Sequence, residues 1–210
     1  MSLRARFYAF WIRKRPKNLS ATKVIALVFA AIILLGAALL TLPAASRSGV
    51  SCGFRPALFT ATSATCVTGL VLYDTFTQWS GFGQVVIISL IQIGGLGFMS
   101  AATLFVFFLR RRIGLKQRLV MAQALSVSDM DGIVNLQKTV LKGSFAVESV
   151  GAAILFVRFL PEFGFSNALK WGVFHSISAF CNAGFDIFGC ITPGASLMEF
   201  QLDPVVLLTL

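Results

Sequence analysis

Phe59-Thr-Ala-Thr-Ser-Ala-Thr-Cys-Val-Thr-Gly69 is the stretch that decides the architecture, because it returns in altered form further along the chain. A shift of about 115 positions, found by comparing the sequence with itself, sets Phe59 on Phe174, Ser63 on Ser178, Ala64 on Ala179, Cys66 on Cys181 and Gly69 on Gly184. The same shift sets Arg55 on Lys170 and the apolar run 24–42 on 139–157. The repeated unit is an apolar helix, a short polar-apolar segment ending at a glycine, and a second apolar helix.

Composition names the solvent. Hydrophobic residues make up 57% of the chain and charged residues 12%, with a mean hydropathy of +0.84, whereas soluble domains carry about a quarter charged residues. The net charge of +10 does not mark a nucleic-acid binder, because the basic residues gather at the ends of apolar runs, as juxtamembrane residues do. Four scattered cysteines form no CxxC or His-rich pattern, so they specify neither a disulfide framework nor a metal site. The chain reads as an all-α integral membrane protein.

The N-terminus carries Arg4, Arg6, Arg13, Lys14, Arg15, Lys17 and Lys23. The apolar run behind it is too long for a signal peptide's core. Residues 24–42 approach the roughly 20 needed to cross a bilayer, and the positive-inside rule sets the N-terminus in the cytoplasm. Residues 46–80 are too polar for a second span, but Pro56 to Ala64 can form two turns of helix with the proline in the first turn. A return segment then ends at Gly69. Non-helical backbone at membrane depth is tolerated where it is buried in protein or lines water, so a re-entrant loop is expected. A Thr- and Ser-rich extracellular loop is the competing reading of this segment alone, and the repeat argues against it.

Phe82 to Leu109 is free of charge and is expected to be the second span. Within it, Gln92-Ile-Gly-Gly-Leu-Gly97 lacks the Lys-Ser/Thr of a phosphate loop and lies inside an apolar helix, so its small residues are read as permitting close helix packing or a bend near the pore, with packing preferred over a gating role. Arg110, Arg111, Arg112, Lys116 and Arg118 mark a second cytoplasmic segment, in which 115–125 has the pattern of an interfacial helix. Thr139 to Leu160 is the third span, ended by Pro161, with Lys142 and Arg158 near enough to its ends to snorkel. Glu148 lies deeper and faces protein or water, and structural pairing and ion handling both stay open. A second short helix over 168–180 and a return segment, Cys181 to Phe185, follow. Pro204 to Leu210 begins a fourth span, inside which the sequence stops, as a piece of a longer polypeptide would.

These readings divide the chain into a basic cytoplasmic N-terminus (1–23), a first span–pore loop–span repeat (24–109), a cytoplasmic connection (110–138) and a second repeat (139–210) cut off at the start of its second span. The chemistry suited to this arrangement is cation dehydration. Rings of backbone carbonyls, each following a short helix, replace an ion's water shell, and the helix C-terminus adds a negative end. No charged side chain is needed, in keeping with the absence of Asp and Glu from Cys66 to Gly69 and Cys181 to Gly184. Asp74 and Asp186, just beyond, are candidates for attracting cations to the outer mouth or for solvated loop positions. About four such segments close a ring, and this chain shows two.

Thr62-Ser-Ala-Thr-Cys-Val-Thr-Gly-Leu70, Gln92-Ile-Gly-Gly-Leu-Gly-Phe98 and Ser178-Ala-Phe-Cys-Asn-Ala-Gly-Phe-Asp186, in this order, resemble the Trk/Ktr/HKT superfamily of potassium transporters. The likeness is greatest to the bacterial Ktr membrane subunit and covers nearly the whole chain. It implies four repeats in the complete protein and a potassium filter at Cys66, Val67, Thr68 and Gly69, and at Cys181, Asn182, Ala183 and Gly184. Glycine at the Gly69 position goes with potassium selectivity in that family. The resemblance further implies K+ as the transported ion and Na+ as a coupling or activating ion. It implies a homodimer in the cell membrane, surrounded by lipid, with a cytoplasmic ring of nucleotide-binding regulatory subunits and no nucleic-acid partner. A gating loop is expected in a third repeat, outside this sequence. Two further readings are an ion-coupled secondary transporter, whose repeats are often inverted rather than parallel, and a non-selective cation channel. An enzyme using His175, Glu148 or a cysteine is rejected, since the one histidine has no partner at a recognisable spacing.

Overall fold

The computed structural model describes residues 21–97, 133–194 and 196–210. The N-terminal basic residues up to Lys17, the basic cluster at 110–118, the interfacial helix expected over 115–125 and the far end of the second span lie outside these. The described residues are helical and contain no strand; Ser46 and Trp79 form an isolated bridge.

The first apolar run forms α1, Ala21–Thr41. Its 21 residues reach about 30 Å, close to the thickness of a bilayer's hydrocarbon core. Pro43 cannot continue it, and a 3-10 turn over Pro43–Ala45 follows. Later residues satisfy the loose carbonyls at its end: Ser51 Oγ donates to Thr41 O at 2.6 Å and Cys52 Sγ to Leu40 O at 3.8 Å. Gly53, at φ +85°, then admits the chain to α2, Phe54–Thr65, with Pro56 in its first turn. After the return segment come α3, Thr75–Gln78, capped by the Asp74 carboxylate, and α4, Gly81–Gly95, capped by Ser80 Oγ.

In this half, α2 and α4 pack on α1 and on each other. Gly36 on α1 makes room for Leu90, and a Cβ at Gly83 would run into the Ala45 carbonyl. The second span was expected to run from Phe82 to Leu109, with its glycines allowing close packing or a bend. Instead α4 stops at Gly95 and Gly97 takes φ +77°. Three glycines in four positions lower helix propensity where a tertiary contact favours a turn.

The second half is built on α5, Ile133–Phe180, one helical element interrupted at Gly164, where φ is +72° and ψ 167°. The expectation that Pro161 ends the third span is corrected by this break. A proline removes one ladder hydrogen bond but tolerates helical φ, whereas the Gly164 angles lie in a region open almost only to glycine. The turn therefore falls three residues later, and the short arm starts at 165 rather than 168. Folding back lets Gly172 approach the backbone of Ala152 and Phe156. Phe159, Trp171, Phe188 and Phe200 form an aromatic core beside this fold-back, with ring centroids 4.5–6.3 Å apart. The last element, α6, is Pro204–Thr209, capped by Asp203. It is tied to α5 where Arg158 Nε donates to Asp203 Oδ2 at 2.6 Å; Arg158 also pairs with Glu162. By length and composition one described helical stretch, Lys138–Phe180, is long and apolar enough to cross a membrane; Ile25–Thr41 and Gly81–Gly95 are shorter apolar helices.

Candidate functional site

The two copies of the repeated stretch fold to the same backbone. In the first, Cys66 N donates to Thr62 O at 2.8 Å, Val67 N to Ala64 O at 3.3 Å and Thr68 N to Ser63 O at 3.0 Å. In the second, Cys181 N donates to Ile177 O at 3.0 Å, Asn182 N to Ala179 O at 2.8 Å and Ala183 N to Ser178 O at 2.7 Å. Every donor and acceptor corresponds under the repeat shift. Left-handed angles recur in register: Val67 and Asn182 both at φ +56°, Gly69 at +72° and Gly184 at +70°.

These bonds tie the N–H groups of residues 66–68 and 181–183 to the ends of the short helices. Among the described residues no backbone or side-chain donor reaches the carbonyl oxygens of Cys66 to Gly69 or of Cys181 to Gly184. Such oxygens stay unpaired in a fold only where water or another ligand meets them. The two helices that end at these loops add the partial negative charge of their C-termini. Thr65, at the foot of the first loop, has a hydroxyl that is buried with no hydrogen-bond partner.

The loops meet glycine to glycine. A Cβ on Gly69 would stand 2.7 Å from the Ala183 carbonyl oxygen and 3.5 Å from Gly184 Cα; one on Gly184 would stand 3.6 Å from Gly69 Cα. Sterics and the positive φ both reserve Gly69 for glycine. The Gln92–Gly97 stretch supports the loops from behind. Gly94 lies against the Thr65 carbonyl, and a Cβ on Gly95 would be 2.5 Å from Cys181 Sγ. The sequence assigned these glycines to packing without indicating their partners, which are the loops themselves.

The Asp74 and Asp186 carboxylates both accept backbone hydrogen bonds. Asp74 Oδ1 accepts from Thr77 N at 2.8 Å and Oδ2 from Gly194 N at 3.1 Å, so it joins the first half to the second. Its carboxylate also packs on Gly189. Asp186 accepts from Phe188 N at 3.2 Å and from Ser196 Oγ at 2.9 Å. Burial pushes the Asp186 carboxyl above its ordinary value, and the neighbouring Asp74 charge adds to the shift. Neither aspartate is a freely solvated loop residue.

His175 is a packing residue. Ile187 N donates to its Nε2 at 3.2 Å, which leaves the proton on Nδ1 to donate to Trp171 O at 2.8 Å. Its ring stacks on Phe188 at 3.9 Å. Glu148 has a partner that the sequence did not reveal. It is 4% exposed, and its two oxygens accept from Gln92 Nε2 at 2.8 and 2.9 Å.

Comparison with known proteins places the chain in a family. A family described as TrkH, cation transport protein, matches residues 10–210. The potassium/sodium uptake protein NtpJ of Enterococcus hirae is 46% identical over 173 residues, 82% of this chain and 38% of that protein. The Ktr system potassium uptake protein B of Bacillus subtilis is 43% identical over 196 residues, 93% of this chain and 41% of its own. That of Vibrio alginolyticus is 38% identical over 188 residues, 90% and 40%. The chain thus spans about two fifths of the length of these relatives. The family moves ions and performs no enzymatic reaction, which disposes of the catalytic reading of His175 and Glu148. With a matching family over residues 10–210 and these relatives, the chain belongs to the TrkH family of membrane-embedded cation transport proteins.

Proposed function

We propose that this chain supplies the first two of four pseudo-symmetric quarters of a potassium-translocating membrane subunit of the Ktr type. The observation that carries the reading is the pair of matched loops whose eight carbonyls meet no donor among the described residues and whose glycines face each other. A dehydrated potassium ion needs several neutral oxygens at fixed positions, and two further loops of the same form would complete the ring. In this reading Cys66, Val67, Thr68 and Gly69, with Cys181, Asn182, Ala183 and Gly184, line the filter. The short helices re-enter the membrane from outside, and the N-terminus and the 110–138 connection are cytoplasmic.

Asp74 and Asp186 fix the outer mouth and lend it negative potential. The relatives' names, potassium uptake and potassium/sodium uptake, support K+ as cargo and Na+ as a second, coupling or activating ion. Membership of a Ktr system supports a regulatory partner, here a cytoplasmic nucleotide-binding ring on a membrane dimer.

The test is Gly69→Ser in the full-length transporter. The new Cβ meets the Ala183 carbonyl and the residue is held at a left-handed φ. Membrane insertion is expected to persist, while discrimination of potassium over sodium falls by about tenfold, the scale of one misplaced coordinating contact. Unchanged discrimination in inserted protein removes Gly69 from the filter.

A further inference from the structure

The two loops share a backbone but differ in what holds them. In the first, the hydroxyls of Ser63 and Thr68 meet at 2.9 Å and brace the loop from within. In the second, Ala183 stands where Thr68 would, and Ser178 Oγ donates instead to the Phe185 carbonyl at 2.6 Å. The second loop therefore lacks the internal hydroxyl pair, and a polar connection absent from the first lies behind it. Glu148, on α5, occupies the position that Ile33 holds in the first repeat. Gln92, on α4, gives its amide N–H to both Glu148 oxygens, which turns its carbonyl end toward Cys181, whose Sγ lies 4.0 Å from Gln92 Oε1. The Glu148 main-chain carbonyl accepts from Ser176 Oγ at 2.7 Å, so the same turn of α5 also holds the short arm that leads into the loop. Gly95 and Gly151 admit this approach: a Cβ on the first would meet Cys181 and one on the second Ser176. Among the described residues no Lys or Arg pairs with Glu148, and its acceptors are met by an amide from the other repeat.

We propose that Gln92 and Glu148 form a clamp between the two repeats that positions the second filter loop, making both of them positioning residues for ion discrimination; this rests on the pore reading above. The physical basis is the cost of an unmet buried polar group. With Glu148 in place the Gln92 amide has one low-energy orientation and Cys181 a fixed neighbour. Without it the amide is left unpaired and rotates to find another partner, releasing the loop that begins at Cys181. The signature of positioning is a changed preference between ions. A fault in yield or folding changes how much protein transports and leaves that preference alone.

The experiment is rubidium uptake by the full-length transporter in proteoliposomes, read as the ratio of the sodium to the potassium concentration that halves uptake. Glu148→Gln keeps an oxygen that accepts from Gln92, and its ratio is expected within about twofold of wild type, whereas Glu148→Leu and Gln92→Leu are each expected to lower it by at least about fivefold, the scale of one lost buried hydrogen bond. Gln92 is only partly buried, so Gln92→Leu decides the matter if Glu148→Leu fails to reach the membrane. A wild-type ratio in either leucine variant overturns the clamp. So does a Glu148→Gln ratio as low as that of Glu148→Leu, because charge rather than the hydrogen bond would then be what matters. A wild-type protein with no discrimination overturns the pore reading and the clamp together; discrimination in wild type with an unchanged ratio in the leucine variants overturns the clamp alone.

Discussion

Val67 holds a left-handed φ of +56°, an uncommon conformation for a β-branched residue that costs on the order of 1–3 kcal/mol. Asn182 repeats it at the matching position, so the strain belongs to the shape of the loop rather than to one side chain. Such a shape persists when neighbouring bonds over-determine it, as the N–H groups of 66–68 and 181–183 do. The repeat and the glycines were legible in the sequence because identity and spacing survive in it. The left-handed valine was not, since nothing in its residue type points there. Asp186 shows another limit. Its raised carboxyl depends on burial beside Asp74, a residue more than a hundred positions earlier that only the fold brings close. The folded chain binds this proton more tightly than the unfolded chain, so its contribution to stability is full below the ordinary value of 3.8 and is lost as pH rises through the raised value. Asp186→Asn removes that slope. Thermal unfolding of the detergent-solubilised protein is expected to depend less on pH in the variant, as pH rises above the ordinary value of 3.8, than in wild type; parallel curves would contradict the shift.

At the scale of elements, helix ends follow capping residues that the sequence displays: Ser80 before α4, Asp74 before α3 and Asp203 before Pro204. The turn between the third span and the second short helix was misread, because proline is the more conspicuous breaker and glycine only breaks a helix when tertiary contacts ask it to. Here they do. The two arms meet through Gly172 and through Phe156 and Phe165, whose rings lie 5.3 Å apart. A substitution pair separates the two roles. Gly164→Ala places a side chain in open space but at angles it disfavours, and a loss of about 1–3 kcal/mol is expected. Pro161→Ala restores a helical N–H and is expected to leave stability equal or higher. Melting temperatures of both variants in detergent check this, and the reverse order would return the break to Pro161.

For the whole molecule, composition and the parallel repeat gave the solvent and the class, and the family match agrees with both. The bonds between repeats were not legible. Gly69 against Gly184, Asp74 against Gly194 and Gln92 against Glu148 join residues 56 to 120 positions apart, and no local pattern encodes such pairs. They join the two halves at the Asp74 carboxylate, at the loops and at the Gln92–Glu148 pair. The proposed pore would select by the spacing of neutral oxygens, so the identity of the permeating ion is its most direct reading. Rubidium uptake into liposomes containing the full-length transporter, with potassium or sodium as competitor, measures that identity. The account predicts that potassium abolishes rubidium uptake at concentrations at which sodium leaves it intact. Equal competition by the two ions would contradict it.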